Sequence, residues 1–399
     1  MDIKILKNAD GLKGRIFNGK IIEQSETESE YEGINLIHYY IYDILDGSSK
    51  EILPSIEKYN IGIVKDCSEN TKYLYFANLF CNKDGNKTIS IIRYDINENV
   101  TQSIYSYEDD FMEYPHNKRL RIFIINDLYI FLQKEYLTYN EKKTYAGFFK
   151  FEIKFLNLKD DREYTINDSS MVKNGISDLI MVSENQCAIK TGFSLLVDNR
   201  YNELEKDEAS LETVSLINLG QMISDLLISQ DKIVYSVIEQ AFYTKTIPYI
   251  KKSGDYLIYT IVDNENKQEE VKFYNIPNGE TKNCINQDVI RLIDLAKPYV
   301  LNNEPYICIT KDNKISFLNI NSGKVDSVFE RDNSDMTQEL VRVFDNSLLF
   351  CGSTKKKLLK KSRPFIDIYS FPDEELILHE NGEYADCIEK DGELYIIEK

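Results

Sequence analysis

"YDILDGSSKEI" (42–52) returns further along the chain as "YDINENVTQSI" (94–104). Both stretches open with Tyr-Asp-Ile, continue through a polar segment and reach Ile at the eleventh position. Five more stretches follow the same pattern: "LNLKDDREYTI" (156–166), "INLGQMISDLL" (217–227), "YNIPNGETKNC" (274–284), "LNINSGKVDSV" (318–328) and "YSFPDEELILH" (369–379).

The second position of every copy carries a short polar side chain: Asp43, Asp95, Asn157, Asn218, Asn275, Asn319 and Ser370. Side chains of this type hydrogen-bond the backbone of a following turn. The third position is always apolar. Each copy therefore predicts the end of one strand, a tight turn and the start of an antiparallel partner.

A second kind of predicted hairpin lies between the copies, which begin on average 54.5 residues apart. These hairpins are two runs of β-branched and aromatic residues around Asn, Asp, Ser or Gly, at 14–24, 121–133, 180–192, 249–262, 299–310 and 341–353. Each repeat thus holds about four short strands. Four-stranded sheets at such a period resemble the β-propeller superfold, and the seven copies imply seven blades.

The two chain ends hold the remnants expected of a propeller closed by both termini. "IKILKN" (3–8) is a strand without a hairpin before it, and "YADCIEKDGELYIIE" (384–398) is a hairpin without a copy after it. We predict an all-β, seven-bladed β-propeller as a single domain over 1–399. Eight or six blades are the alternatives, because "ISDLLISQDKIVYSVI" (223–238) resembles a surplus hairpin.

The resemblance is to the superfold and to no family within it. The chain has no tryptophan, which the Trp-Asp signature of WD40 repeats and the Asp-box of sialidases need, and it has no kelch-type Gly-Gly pairs. The resemblance implies architecture and no activity.

The composition is that of an acidic protein whose surface charge favours solubility. The net charge of −18 argues against nucleic acid as a partner, because phosphates are repelled by such a surface. No run is long and apolar enough to predict a membrane span, and the N-terminal residues lack the apolar core of a signal peptide. Seven scattered cysteines without a CxxC pair predict reduced, mostly buried thiols. These features predict a cytoplasmic location.

One segment opposes the overall charge. "KKKLLKKSR" (355–363) contains six cations in nine positions: Lys355, Lys356, Lys357, Lys360, Lys361 and Arg363. It falls between the second (B) and third (C) predicted strands of the last repeat. The edge of a blade that carries the B–C loops also carries the D–A connections. We predict that these six residues contact a protein or other anionic partner, which could be an acidic protein segment, a phosphorylated site or a nucleotide.

A structural interpretation competes with this one. The first repeat's predicted B–C loop, "EQSETESEYEG" (23–33), is acidic, and the two loops would attract each other if the ring closes there. Solvated charge runs are also common.

Motifs for chemistry are sparse. The three histidines, His38, His116 and His379, form no HExxH pair, and no nucleophile elbow or phosphate-binding loop is present. No catalytic or metal-ligating residue and no cofactor is therefore predicted. One enzymatic alternative is a metal-dependent hydrolase, such as a lactonase or phosphoesterase, or a carbohydrate-processing enzyme. Its site would lie at the channel mouth and use acids near the A–B turns: Asp66, Asp127, Glu184, Asp255, Glu304, Asp345 and Asp391.

The sequence therefore predicts a non-catalytic interaction or scaffold module that binds through its B–C/D–A loop edge. It does not determine the oligomeric state.

Overall fold

A computed structural model of the chain describes residues 2–7, 15–17, 20–28, 35–43, 48–52, 58–63, 65–66, 72–81, 87–108, 118–138, 148–192, 212–228, 233–242, 245–286, 290, 297–311, 314–330, 336–344, 347–354, 362–390 and 393–398. The chain forms two compact units. Unit 1 comprises residues 1–19 and 248–399, and unit 2 comprises residues 20–247.

Unit 2 is built of antiparallel sheets whose strands follow one another in sequence. Its first three repeats supply β3 (Lys20–Glu28), β4 (Asn35–Asp43) and β5 (Ser49–Glu51); β6 (Lys58–Ile63), β8 (Tyr73–Cys81), β9 (Lys87–Asp95) and β10 (Val100–Glu108); and β11 (Lys118–Ile125), β12 (Tyr129–Thr138), β13 (Phe148–Asn157) and β14 (Arg162–Ile166). The two-residue strand β7 (Lys65–Asp66) pairs in parallel with β11.

The fourth repeat completes unit 2. It contains α1 (Ser169–Asn174), β15 (Ile176–Ser183), β16 (Gln186–Thr191), β17 (Glu212–Asn218), α2 (Leu219–Ile228) and β18 (Ser236–Ala241). The two-residue strand β19 (Lys245–Thr246) follows this repeat in the chain. The sheet order within it is β15-β16-β17-β18.

Unit 1 begins with β1 (Asp2–Lys7) and β2 (Arg15–Phe17), the first strand of the first repeat, and continues after residue 247 with three repeats. The strands of these repeats are β20 (Ile250–Ser253), β21 (Tyr256–Asp263), β22 (Gln268–Asn275) and β23 (Thr281–Asn283); β24 (Lys297–Leu301), β25 (Glu304–Lys311), β26 (Lys314–Asn319) and β27 (Val325–Glu330); and β28 (Met336–Phe344), β29 (Ser347–Thr354), β30 (Pro364–Ser370) and β31 (Leu376–Glu380).

The chain ends meet in a three-stranded sheet. Strand β33 (Glu393–Glu398) pairs in parallel with β1 and antiparallel with β32 (Tyr384–Lys390). Lys4 Nζ lies 2.5 Å from a carboxylate oxygen of Glu393 across the parallel pair. The predicted joining of the two termini is confirmed, and this sheet follows the seventh repeat as an additional, shorter one.

The all-β fold class predicted from the sequence is confirmed: the chain is a β-propeller of seven antiparallel, four-stranded repeats. The polar second position of the recurring stretch has the predicted role. Asp95 Oδ1 accepts hydrogen bonds from the backbone N–H groups of Asn97 and Glu98, each at 3.0 Å. Asn319 Oδ1 accepts one from Ser322 at 3.0 Å. These bonds satisfy backbone donors that the tight turn leaves unpaired.

The prediction was wrong at 217–227, where the second strand is replaced by helix α2. Apolar residues recur there at the helical period, and the helix buries Leu219, Met222 and Leu226 against the core of unit 2. The outermost strand of this repeat is β18 instead. The stretch 223–238 is therefore helix plus strand, and the surplus hairpin considered for it does not form.

The side chain of Asn218 can bond the backbone of a tight turn or cap a helix, and here it caps a helix. Its Oδ1 accepts a hydrogen bond from the backbone N–H of Gln221 at 3.0 Å, which caps the N-terminus of α2. We expect Asn218→Ala to lower the free energy of unfolding by about 0.5–2 kcal/mol in denaturant titrations. Asn218→Asp retains the acceptor and should stay near wild type. Equal losses in the two variants would contradict the capping role.

Candidate functional site

The predicted basic segment connects two paired strand ends. Strands β29 and β30 are the second and third strands of their sheet, and the segment joins them. The backbone N–H of Arg363 donates to Thr354 Oγ1 at 2.9 Å, and that of Thr354 donates to the Arg363 carbonyl oxygen at 3.0 Å. The side chain of Arg363 is exposed. Lys355, Lys356, Lys357, Lys360 and Lys361 lie outside the described residues.

The predicted acidic loop is largely a strand. Residues 20–28 form β3, so Glu23, Glu26 and Glu28 belong to that strand, while Glu30 and Glu32 lie outside the described residues. The predicted boundary between the strand and the loop lay too early in the chain, because the polar residues of β3 are as typical of a loop as of a strand.

A cleft of about 1240 Å³ opens in unit 1, at the edge where first strands begin and second strands end. It is larger than the roughly 300–1,000 Å³ of ordinary small-molecule pockets. Its lining mixes charged, hydroxyl, thiol and apolar groups: Lys251, Lys297, Pro298, Cys308, Thr310, Gln338, Glu339, Leu340, Cys351, Gly352, Ser353, Ser362, Pro364, Phe365, Glu383 and Tyr384.

Described residues at or next to both ends of the basic segment line this cleft. Ser353, next to the last residue of β29, and Ser362, at the other end of the connection, both line it. Ser362 Oγ donates a hydrogen bond to the Thr354 carbonyl oxygen at 2.7 Å, which holds the two ends together. The B–C/D–A edge predicted as the binding edge thus carries a cleft in the described part of unit 1.

An ion pair stands in the cleft wall between two repeats of unit 1. Lys297 Nζ lies 2.6 Å from Glu339 Oε1 and 3.4 Å from the Leu340 carbonyl oxygen. The two side chains are 48% and 59% exposed. Both residues lie at or near the start of a first strand, β24 and β28, so the sheets bring together side chains 42 positions apart.

Two thiols flank this pair in the strand registers. Cys308 lies opposite Lys297, and Cys351 lies opposite Glu339. Burial raises the pKa of the Cys308 thiol to about 12, with Lys297 opposing the shift. Burial and the Glu339 carboxylate raise the pKa of the Cys351 thiol. Both thiols are therefore protonated at neutral pH and do not act as anionic partners of Lys297.

The five cysteines whose side chains the structure describes form no disulfide: Cys187, Cys284, Cys308, Cys351 and Cys387. The expectation of reduced and mostly buried thiols is confirmed for these five, and Cys351 is the half-buried one.

Unit 2 contains a second group of charges, deeply buried at the corresponding strand ends. Lys190 Nζ lies 3.5 Å from Glu212 Oε2, and the two side chains are 5% and 1% exposed. Glu212 Oε2 also accepts the backbone N–H of Ile247 at 2.6 Å. Burial lowers the pKa of Lys190 and raises that of Glu212, although each charge partly offsets the shift of the other. In the same unit, Arg121 Nε lies 2.7 Å from the fully buried Glu135.

Two of the acids considered for a metal site, Asp127 and Glu304, have structural roles. Asp127 and Asn126 adopt left-handed backbone angles in the β11–β12 turn, and Asp127 accepts a hydrogen bond from the Tyr75 hydroxyl. Glu304 accepts one from the Asn321 amide at 2.6 Å. No cluster of three or more His, Cys, Asp or Glu side chains suited to a metal ion occurs within the ranges that the structure describes. Asp345 and Asp391 lie outside those ranges.

Two histidines are held by carboxylates, as expected of packed or hydrogen-bonded residues. His38 Nδ1 lies 2.8 Å from Glu51, and His379 Nδ1 lies 2.6 Å from Asp367. His116 lies outside the described residues.

The sequence did not single out Lys251, Lys297, Glu339 or Cys351. The only available signal was a charged residue at the start of a first strand in consecutive repeats, as in "KPYVL" (297–301) and "MTQELVRVF" (336–344). Charges at strand ends are ordinary, so this signal does not indicate a site until the neighbouring sheet is placed.

No protein-family model matches the chain, and no curated protein matches it. Similar solved structures do exist. Dipeptidyl peptidase 4 from Porphyromonas gingivalis is similar over 94% of this chain, with a TM-score of 0.51 and 9% identity. The β-propeller domain of the Trilobed protease from Pyrococcus furiosus is similar over 92% of this chain and 93% of its own, with a TM-score of 0.41 and 7% identity.

These similarities concern the fold alone. This chain spans about half of the dipeptidyl peptidase, 54% of its length. Within the described residues, neither helix is long and apolar enough to cross a membrane.

Proposed function

We propose that this protein is a non-catalytic interaction module that binds a protein partner at the cleft edge of unit 1. The observation that carries the proposal is the coincidence of two features at one edge. A cleft of about 1240 Å³ opens there, and its lining includes Ser353 and Ser362, which lie next to or at the two ends of the most basic segment of an acidic chain.

The lining supports a protein rather than a small molecule as the occupant. Charged and hydroxyl groups lie around the half-buried Pro364, while Leu340 and Phe365 close the cleft wall at 1% and 2% exposure. A mixed polar and apolar lining of this kind is typical of transient protein interfaces. Its volume exceeds what a single small ligand fills.

The charge of the basic segment indicates that the partner binds through an anionic segment. The cations Lys355, Lys356, Lys357, Lys360, Lys361 and Arg363 stand in a chain of net charge −18. A concentration of positive charge in an acidic protein attracts anions locally while the rest of the surface repels them, which favours one orientation of approach.

A quantitative pull-down tests the basic segment. We expect the Lys355→Glu, Lys356→Glu, Lys357→Glu variant to lose about tenfold or more of its specifically enriched partners at low salt, because like charges then face the partner. The control variant carries the same charge change at exposed sites near turns between third and fourth strands, Lys50→Glu, Lys159→Glu and Lys324→Glu, and should retain them.

Identical partner profiles for the wild type and the first variant would remove the basis of the proposal. Metal analysis of the purified protein supplies an independent check: a stoichiometric divalent ion would favour the metal-dependent hydrolase instead.

A further inference from the structure

We propose that Lys297 is the cleft residue that binds a carboxylate of an acidic peptide segment. In the free protein Glu339 forms an ion pair with the Lys297 ammonium group, and the peptide carboxylate displaces Glu339. The inference rests on the proposed function, since it names the chemistry of the partner at the same cleft. Its evidence is the local geometry of two side chains.

The ammonium group of Lys297 already binds a carboxylate in the free protein. Its Nζ lies 2.6 Å from Glu339 Oε1, while the Leu340 carbonyl oxygen at 3.4 Å fixes its direction. A carboxylate brought by a partner finds the same donor at the same place. The contact is charge-assisted, the kind of hydrogen bond that contributes most to recognition of an anion.

The existing pair is readily exchanged. Both side chains are about half exposed, so the carboxylate of Glu339 is returned to water rather than stranded when it leaves. Exposed pairs of this kind contribute little net stability, because water and salt screen them. The buried pair of Lys190 and Glu212 contrasts with it, since neither partner there can be released into solvent.

Two neighbours of Lys297 do not compete for its ammonium group, because they carry no charge. Burial raises the pKa of the facing Cys308 thiol and of the Tyr299 hydroxyl, so both groups are neutral at physiological pH. The other charged groups that line the cleft are Lys251 and Glu383. Glu339 is the carboxylate that contacts Lys297 among the described residues, and its displacement leaves a cation facing the cleft.

The apolar lining supplies little of the contact. Leu340 in β28 and Phe365 in β30 are 1% and 2% exposed, so they close the cleft wall without offering free surface. Pro364, at the start of β30, is half-buried. A peptide that alternates acidic residues with Leu can place a carboxylate on Lys297 and one Leu against Pro364, and the charge contact sets register and specificity.

Fluorescence anisotropy with a fluorescein-labelled peptide of Asp-Glu-Leu repeats measures this directly, with an Asn-Gln-Leu peptide as the uncharged comparison. We expect Lys297→Met to weaken binding of the acidic peptide by about tenfold, and Lys297→Arg to retain most of it. We expect Glu339→Gln to strengthen binding by about two- to fivefold, because it removes the internal competitor. A gain in affinity cannot arise from a damaged fold.

Matched controls in unit 1 are Lys324→Met and Glu375→Gln, which make the same chemical changes at exposed positions in turns between third and fourth strands, away from the cleft. They should bind like wild type. Alkylation of the cleft-lining Cys351, followed by mass spectrometry, locates the peptide, since occupancy of the cleft should slow modification of that thiol.

The outcomes separate this inference from the proposed function. If the acidic peptide binds wild type, Lys297→Met and Glu339→Gln equally, the role of Lys297 is wrong, while the pull-down still decides whether the edge binds proteins. If the acidic peptide binds no better than the uncharged one, the acidic class of partner is wrong. Loss of partners in the pull-down control would instead undermine the proposed function itself.

Discussion

Lys190→Met is expected to lower the free energy of unfolding by about 3–5 kcal/mol, because it leaves the Glu212 carboxylate buried without its counter-charge. Glu212 is 1% exposed, and its Oε1 has no hydrogen-bond partner among the described residues. Once Lys190 Nζ is removed, the backbone N–H of Ile247 at 2.6 Å is the hydrogen bond left to this carboxylate. Denaturant titration at neutral pH measures the loss.

The pH dependence of this variant identifies the cause. Without Lys190, the pKa of Glu212 rises further, so the native state takes up a proton that the unfolded state releases. Stability lost at neutral pH should therefore return as the pH falls through the raised pKa of Glu212 toward the unfolded value. The double variant Lys190→Met, Glu212→Leu, which removes both charges, should recover most of the loss at neutral pH.

A loss in Lys190→Met that is the same at neutral and mildly acidic pH would contradict this account. It would indicate that the methylene stem of Lys190 contributes through packing rather than through its charge.

Phe317→Ala is expected to cost about 3–5 kcal/mol of unfolding free energy in unit 1. The ring is fully buried on β26, with ring centroids of Phe371 at 5.4 Å, Phe329 at 5.8 Å and Tyr306 at 6.4 Å. Removing it leaves a cavity that these aromatic neighbours fill only in part, so both transfer free energy and dispersion contacts are lost.

Phe242→Ala is the matched control, since this ring is 50% exposed and the same atoms are deleted. We expect its unfolding free energy to change by no more than about 0.5 kcal/mol. Similar losses in the two variants, measured by denaturant titration, would mean that Phe317 is not part of a close-packed core.

The sequence could predict which edge of the repeats carries the candidate binding site, but it could not predict the cleft there. The copies of the recurring stretch separate C–D turns from A–B turns, which places residues 355–363 between β29 and β30. The cleft could not be predicted, because its wall needs β24, β28 and β32 side by side, and each contributes a short segment that is ordinary by itself.

The same reason explains why the cleft's ion pair was missed. Lys297 and Glu339 belong to different repeats, and no local pattern relates two side chains 42 positions apart. Lys190 and Glu212 are likewise brought together by pairing of β16 with β17, whose connecting segment spans 193–211 and lies outside the described residues.

The amino-acid sequence by itself determined the hairpins of this protein, since a short polar side chain before a turn and alternating apolar residues beside it act within a few residues of each other. The helix α2 marks the limit of that rule. Asn218 can start a turn or cap a helix equally well, and only burial of Met222 and Leu226 against the core of unit 2 selected the helix. Which charges meet, which stay buried and which face a cleft were decided by the packing of sheets, because those interactions join residues that are distant in the chain.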